Sequence, residues 1–270
     1  ATDATITLNN ANAFTGAVSL NTTGSSAHAT VVDASGLNLG ASTVGGNLSA
    51  TATTGNMTDS GALTITGTSS FTTSANNATI VLAWDRPWTN AFTGEVTITT
   101  NDNSGTDADV YIDGGTTALV IATSNIDGDL ILRSGHASGI TDSGTVTVGG
   151  GFAVITDANN GVINLDTLAV ANGMALITHG SGNATVVNHA GFYFTRINSA
   201  VGGNLSVTAT TGNITNNAPS VTIAGTSSFT TSADNATITL NNANAFTGAV
   251  SLNTTGSSGN ATVVDASGLN

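Results

Sequence analysis

Along this chain, apolar and polar residues alternate with a period of two in short runs such as Leu48-Ser49-Ala50-Thr51-Ala52 and Val250-Ser251-Leu252. That parity is the signature of strands that bury one face. The runs are punctuated by Gly24-Ser25-Ser26, Gly55-Asn56, Asn76-Asn77 and similar groups, which supply turns. Ten runs begin two places after a glycine: Gly16, Gly46, Gly67, Gly94, Gly128, Gly150, Gly173, Gly203, Gly225 and Gly248. The second and fourth positions after each glycine are mostly apolar, from Val18/Leu20 to Val250/Leu252. The third and fifth are mostly hydroxyl or amide, and they turn apolar or basic only at Ile131/Arg133, Ala153/Ile155 and Leu176.

Those glycines are 30, 21, 27, 34, 22, 23, 30, 22 and 23 residues apart, about one coil of a parallel β-helix. The pattern predicts an all-β chain, a right-handed parallel β-helix or β-solenoid. Ten rungs about 4.8 Å apart would make a rod of about 50 Å. A tandem array of β-sandwiches is the rival architecture. It predicts antiparallel pairing within each unit, where the solenoid predicts parallel stacking throughout.

The chain also repeats on a larger scale. Residues 4–38 return at 236–270 with only Ala27→Gly and His28→Asn changed, and residues 44–82 return at 201–240 with a one-residue gap. The repeats are placed at 4–77, 78–160 and 161–235, of 74, 83 and 75 residues, followed by a partial copy at 236–270. Each full unit holds about three rungs. The expected organisation is one continuous solenoid over 1–270, a window of a longer repetitive chain.

Composition sharpens the picture. Three Lys+Arg stand against 16 Asp+Glu, a formal charge of −13, which disfavours nucleic acid and anionic membrane surfaces as partners. With no Cys there is neither a disulfide frame nor a thiolate metal site. No apolar run approaches the about 18 residues that span a bilayer, so no transmembrane segment is expected.

Candidate chemistry concentrates in the unit 78–160, which holds ten of the 16 acids and two of the three Arg. Around Trp84, Arg86 and Trp88 this unit gains four residues over the later copy. Such residues suit a contact loop, and equally suit rings packed on the solenoid wall. Glu95 and Asp129 each follow a motif glycine, so on consecutive rungs they would stack about 5 Å apart with Asp127 nearby. Carboxylates that close either splay into water or bind a hard cation such as Ca²⁺. No other cofactor is indicated. His28, His136, His179 and His189 are scattered, and His28 becomes Asn260 in the copy, so no poised acid, base or nucleophile emerges and the chain is not read as an enzyme. Hydroxyl ladders of the Ser-x-Thr kind could also order water, but the middle of the chain interrupts them.

The stretch Val44-Gly45-Gly46-Asn47-Leu48-Ser49, the stretch Thr53-Thr54-Gly55-Asn56 and their copies within 201–213 resemble the repeats of large bacterial surface proteins of the filamentous-haemagglutinin type. The resemblance implies a secreted right-handed β-helix serving as a stalk, adhesin or extracellular fibre at the cell surface. It transfers no catalytic or binding residue. The resulting expectation is a structural and adhesive fibre segment. It would self-associate end to end or side by side, and a cell-surface glycan or protein is its possible ligand. The alternative is a carbohydrate-binding or carbohydrate-cleaving β-helix that uses the acidic unit.

Overall fold

The computed structural model describes residues 1–82, 89–101, 107–195 and 197–269. It is a parallel β-solenoid of about eleven turns, with no helix among the described residues. Thr, Val, Ile and Ser in alternation favour extended chain, and the Gly, Asn and Ser groups between them bend it at the corners. All strand pairings are parallel and link one coil to the next, as in Ala29↔Leu48 and Leu48↔Ser69. Among the described residues two sheets, of 14 and 13 strands, run along the rod, and a third sheet of three strands closes the early coils. The antiparallel pairing that a sandwich array requires is absent among the described residues.

Following the first sheet from partner to partner measures the coil. It ranges from 19 residues, between Ala29 and Leu48, to 27, between Ser69 and Val96. The glycine spacings of 30, 34 and 30 therefore exceed any coil measured along the first sheet. They mark places where the glycine motif moves from one sheet to another. Leu48–Ala52, Ser69–Thr73 and Val96–Thr99 belong to the first sheet, whereas Leu130–Ser134, Phe152–Asn159 and Gly173–His179 belong to the second, and Leu205–Ala209 is back in the first. The ten glycines thus form no single column.

The two near-identical segments make the same point. Ile6–Asn12 stacks on Ala29–Asp33 in the first sheet, while its copy Ile238–Phe246 stacks on Ala261–Asp265 in the second. The local contacts are nonetheless the same. Asn12 Nδ2 donates to the Leu8 and Val32 carbonyls, and Asn244 Nδ2 to those of Leu240 and Val264. The amides of Phe14 and Phe246 each donate to the carboxylate of Asp33 or Asp265.

Inward residues fill the rod. Strands such as Ala29–Asp33, Leu48–Ala52 and Leu205–Ala209 bury every second residue. The rings of Phe71 and Phe92 meet edge-on at 5.6 Å between centroids, and their counterparts Phe229 and Phe246 lie 5.9 Å apart. Polar side chains satisfy the corners. Thr73, Thr156, Thr231 and Thr254 each donate Oγ1 to a carbonyl five residues ahead.

At another corner both repeats bury a pair of side chains: Asn90 Nδ2 donates to Asp59 Oδ2 at 2.9 Å, and Asn216 Nδ2 donates to Asn244 Oδ1 at 2.5 Å. The same position accepts a strand amide in each, Leu63 N to Asn90 Oδ1 and Val221 N to Asn244 Oδ1. Because the second repeat works with an amide where the first has Asp59, Asp59→Asn is expected to change unfolding free energy by less than about 1 kcal/mol. Asn90→Ala strands a buried amide and should cost about 1–3 kcal/mol. Denaturant titration of both variants checks the contrast, and equal losses would remove the equivalence of the two pairs.

Candidate binding groove

The outward side of the second sheet differs from the rest of the surface. Where outward residues elsewhere are mostly hydroxyls and amides, here Val81 pairs with Tyr111, Tyr111 with Ile131, Ile131 with Ala153 and Ala153 with Ala175. A second column runs from Asp113 to Arg133, Ile155 and Ile177. This outward parity is free to vary because it takes no part in filling the core.

Two clefts lie end to end along this stripe. One, of about 320 Å³, is lined by Thr79, Val81, Asp109, Tyr111, Asp129 and Ile131. The next, of about 190 Å³, shares Asp129 and Ile131 and continues past Ala153 and Ala175 to Thr195 and Ile197. Ile197 is 47% exposed, one of few large apolar side chains so open to solvent. The floor is aliphatic and aromatic, and the rim carries hydroxyls and carboxylates.

Asp109 and Asp129 hold the rim by an inter-coil bond. Asp129 N donates to Asp109 Oδ1 at 2.7 Å, and Gly151 N donates to Asp129 Oδ1 at 2.6 Å. Asn47, Asn183 and Asn204 do the same elsewhere, accepting the amides of Thr68, Asn204 and Thr226. His28 Nδ1 accepts Asn47 N at 2.9 Å in the same way, so an Asn side chain with its own acceptor is a natural replacement in the copy.

Arg133 spans three coils. Its Nε donates to Asp157 Oδ2 above, and its guanidinium also hydrogen-bonds the Tyr111 hydroxyl below. The Asp157 bond holds the guanidinium well above its ordinary value. Burial pushes the Tyr111 phenol up against the opposing pull of Arg133. Burial also raises Asp113, opposed by a bond from Gly115 N and by the Arg133 charge. The arrangement locks the tyrosine ring in the floor.

The residues singled out in the sequence fall differently. Glu95 lies exposed on the first sheet, where its carbonyl accepts Ser69 N. Its strand, Val96–Thr99, pairs with Ser69–Thr73, Leu119–Ile121 and Ser124–Ile126, whereas Asp129 precedes Leu130–Ser134 of the second sheet. The expected stacking of Glu95 on Asp129 is therefore not formed, because they stand on different sheets. Asp127 sits at the corner between them, its amide donating to Thr100 Oγ1 at 2.9 Å. Among the described residues no three His, Asp or Glu side chains converge to hold a metal ion. Trp84, Arg86 and Trp88 lie outside the described residues. Sequence reasoning missed Tyr111, Asp109 and Ala175, although the apolar interruption at Ile131/Arg133 and Ala153/Ile155 pointed to their neighbourhood.

A family described as repeats of unknown function, DUF5649, matches residues 26–99 and 181–253, together more than half of the chain. Each matched stretch carries four successive strands of the first sheet, beginning at Ala29, Leu48, Ser69 and Val96 and at Ala184, Leu205, Ser227 and Val250. No curated protein and no solved structure matches the chain. Among the described residues no helix is long and apolar enough to cross a membrane.

Asp113 gives the groove a measurable pH signature. A carboxyl raised in the folded state contributes stability below its unfolded value of 3.8, and that contribution is lost as pH rises through the folded value. Asp113→Asn keeps an oxygen for the Gly115 amide and cannot ionise. It should therefore be more stable than the parent at pH 7 and indistinguishable from it at pH 3, read by thermal melts at both pH values. A variant less stable at pH 7 would mean that the Arg133 charge outweighs burial.

Proposed function

The chain belongs to the DUF5649 repeats of unknown function, and from that premise we propose that it is a structural and adhesive segment of an extracellular stalk or fibre, without catalysis. The observation that carries this reading is the interchangeability of the coils. A 35-residue sequence and its copy, 4–38 and 236–270, which differ at two positions, stack with the same strand contacts in either long sheet. A sequence that encodes stacking, whichever face it occupies, suits a part whose task is length and stiffness.

The surface supports the same reading. Outside the groove, outward columns of Ser, Thr and Asn keep the rod hydrated at a low density of charge, and the acidic balance disfavours polyanionic partners. The resemblance to haemagglutinin-type repeats supports export and a place at the cell surface. Rods of this kind would associate end to end or side by side, presenting one face to a surface glycan or protein.

Antibodies raised against this segment should label intact source cells. By electron cryo-microscopy the labelled structures should be thin projections with a layer spacing of about 4.8 Å along the axis. Labelling that appears only after permeabilisation would overturn the extracellular role.

A further inference from the structure

We infer that the outward face of the first sheet binds ice. The residues that interrupt the Ser-x-Thr pattern along the sequence, Ile131, Arg133, Ala153 and Ile155, all stand on the second sheet. The first sheet is left with two columns in register. Over the earlier coils one column runs Thr30, Ser49, Ser70, Thr97, and the other runs Val32, Thr51, Thr72, Thr99. The later coils repeat the arrangement as Thr185, Ser206, Ser228, Ser251 beside Val187, Thr208, Thr230, Asn253. Between the two blocks Thr141, Asn164, Asn125 and Thr147 carry the columns on, with Val120 and Ala169 as departures.

These hydroxyls have no task inside the rod. Corner threonines such as Thr73 and Thr156 donate to carbonyls, and inward Ser42 and Ser124 accept the amides of Leu20 and Ile98. By contrast, the hydroxyls of Ser49, Thr51, Ser70, Thr72, Thr97 and Thr99 make no hydrogen bond among the described residues, and all six residues are partly exposed. Each keeps one donor and two acceptor sites for water. The register fixes where those sites stand, about 4.8 Å apart from coil to coil and about 6.6 Å apart along a strand. These two repeats lie near those of the oxygen rows on the prism face of hexagonal ice. Threonine is stiff at χ1, so its hydroxyl is placed before ice arrives and little ordering is left to pay on binding. From Thr30 to Thr99 neither column carries a charged side chain, so none holds a hydration shell against the lattice. The same columns lack the carboxylates that would ligate the cations of a mineral, and the aromatic rings that would stack on a crystalline polysaccharide.

This goes beyond the stalk reading, and a rod with no affinity for ice would leave that reading standing. The test is incorporation of the purified chain into a slowly growing ice hemisphere. The chain has no Lys, so an amine-reactive dye labels the N-terminus and leaves the face untouched. The labelled chain should enter the ice. A double variant, Thr72→Tyr with Thr208→Tyr, places a bulky residue in the middle of each block. Tyr favours strands and projects outward there, so thermal melting should be unchanged while incorporation is lost. Ile155→Tyr, equally outward but on the second sheet, should incorporate as the parent does. Microcrystalline cellulose and hydroxyapatite are the counter-probes, and neither should carry the chain down on sedimentation. The inference is overturned if the parent is excluded from ice, if the folded double variant incorporates as well as the parent, if Ile155→Tyr is excluded as well, or if the parent sediments with cellulose or hydroxyapatite and stays out of ice.

Discussion

The close approach of one coil to the next at the glycine corner is the constraint on which this molecule depends. Gly67 N donates to Gly46 O at 3.0 Å, and Gly225 N to Gly203 O at 2.9 Å. A Cβ on Gly67 would sit 2.6 Å from the carbonyl carbon of Gly46, and one on Gly225 would sit 2.7 Å from that of Gly203. Neither backbone can give way without breaking the ladder. Beside this corner, side-chain oxygens of Asn47 and Asn204 take up the next coil's amides. Backbone amides are thus paired from coil to coil by carbonyls and by uncharged side chains, and little is left for charged side chains to do.

Divergence between the copies follows the same rule. Asp59 and Asn216 differ in charge yet each joins its neighbour, Asn90 or Asn244, at the same corner. His28 serves with a ring nitrogen where other coils use an amide oxygen. What persists at these places is an acceptor or donor at a given reach, whatever residue supplies it. The large inward rings are held more closely, since Phe71 with Phe92 and Phe229 with Phe246 keep the same edge-on or tilted packing.

Much of the fold was legible because period-two alternation and recurring glycines are direct consequences of parallel stacking. Coil length, parallel pairing and the inward side chains all follow from them. The assignment of faces did not. The glycine motif serves both long sheets, so a list of glycines cannot say which sheet each one occupies. The spacings of 30 and 34 residues carried that information, since they exceed the longest coil of the first sheet, of 27 residues. The pairing of Glu95 with Asp129 failed for this reason alone. Asp129 still belongs to a site, facing Asp109 and Gly151 in place of Glu95.

The groove shows where in a solenoid chemistry can be sought. Inward positions are tied to the core and corner positions to the inter-coil bonds, so both report stacking. Outward positions carry neither duty, and a polar residue there keeps the rod hydrated at no cost to its interior. When Tyr111, Ile131, Ile155 and Ile177 replace hydroxyls along adjacent coils, an apolar stripe forms outside the central core, with Tyr111 buried in it and the three isoleucines half-buried. Arg133 then anchors the stripe, bridging Tyr111 below to Asp157 above. An apolar run on the outward parity, held in place by a bridging ion pair, is therefore a departure that stacking does not demand.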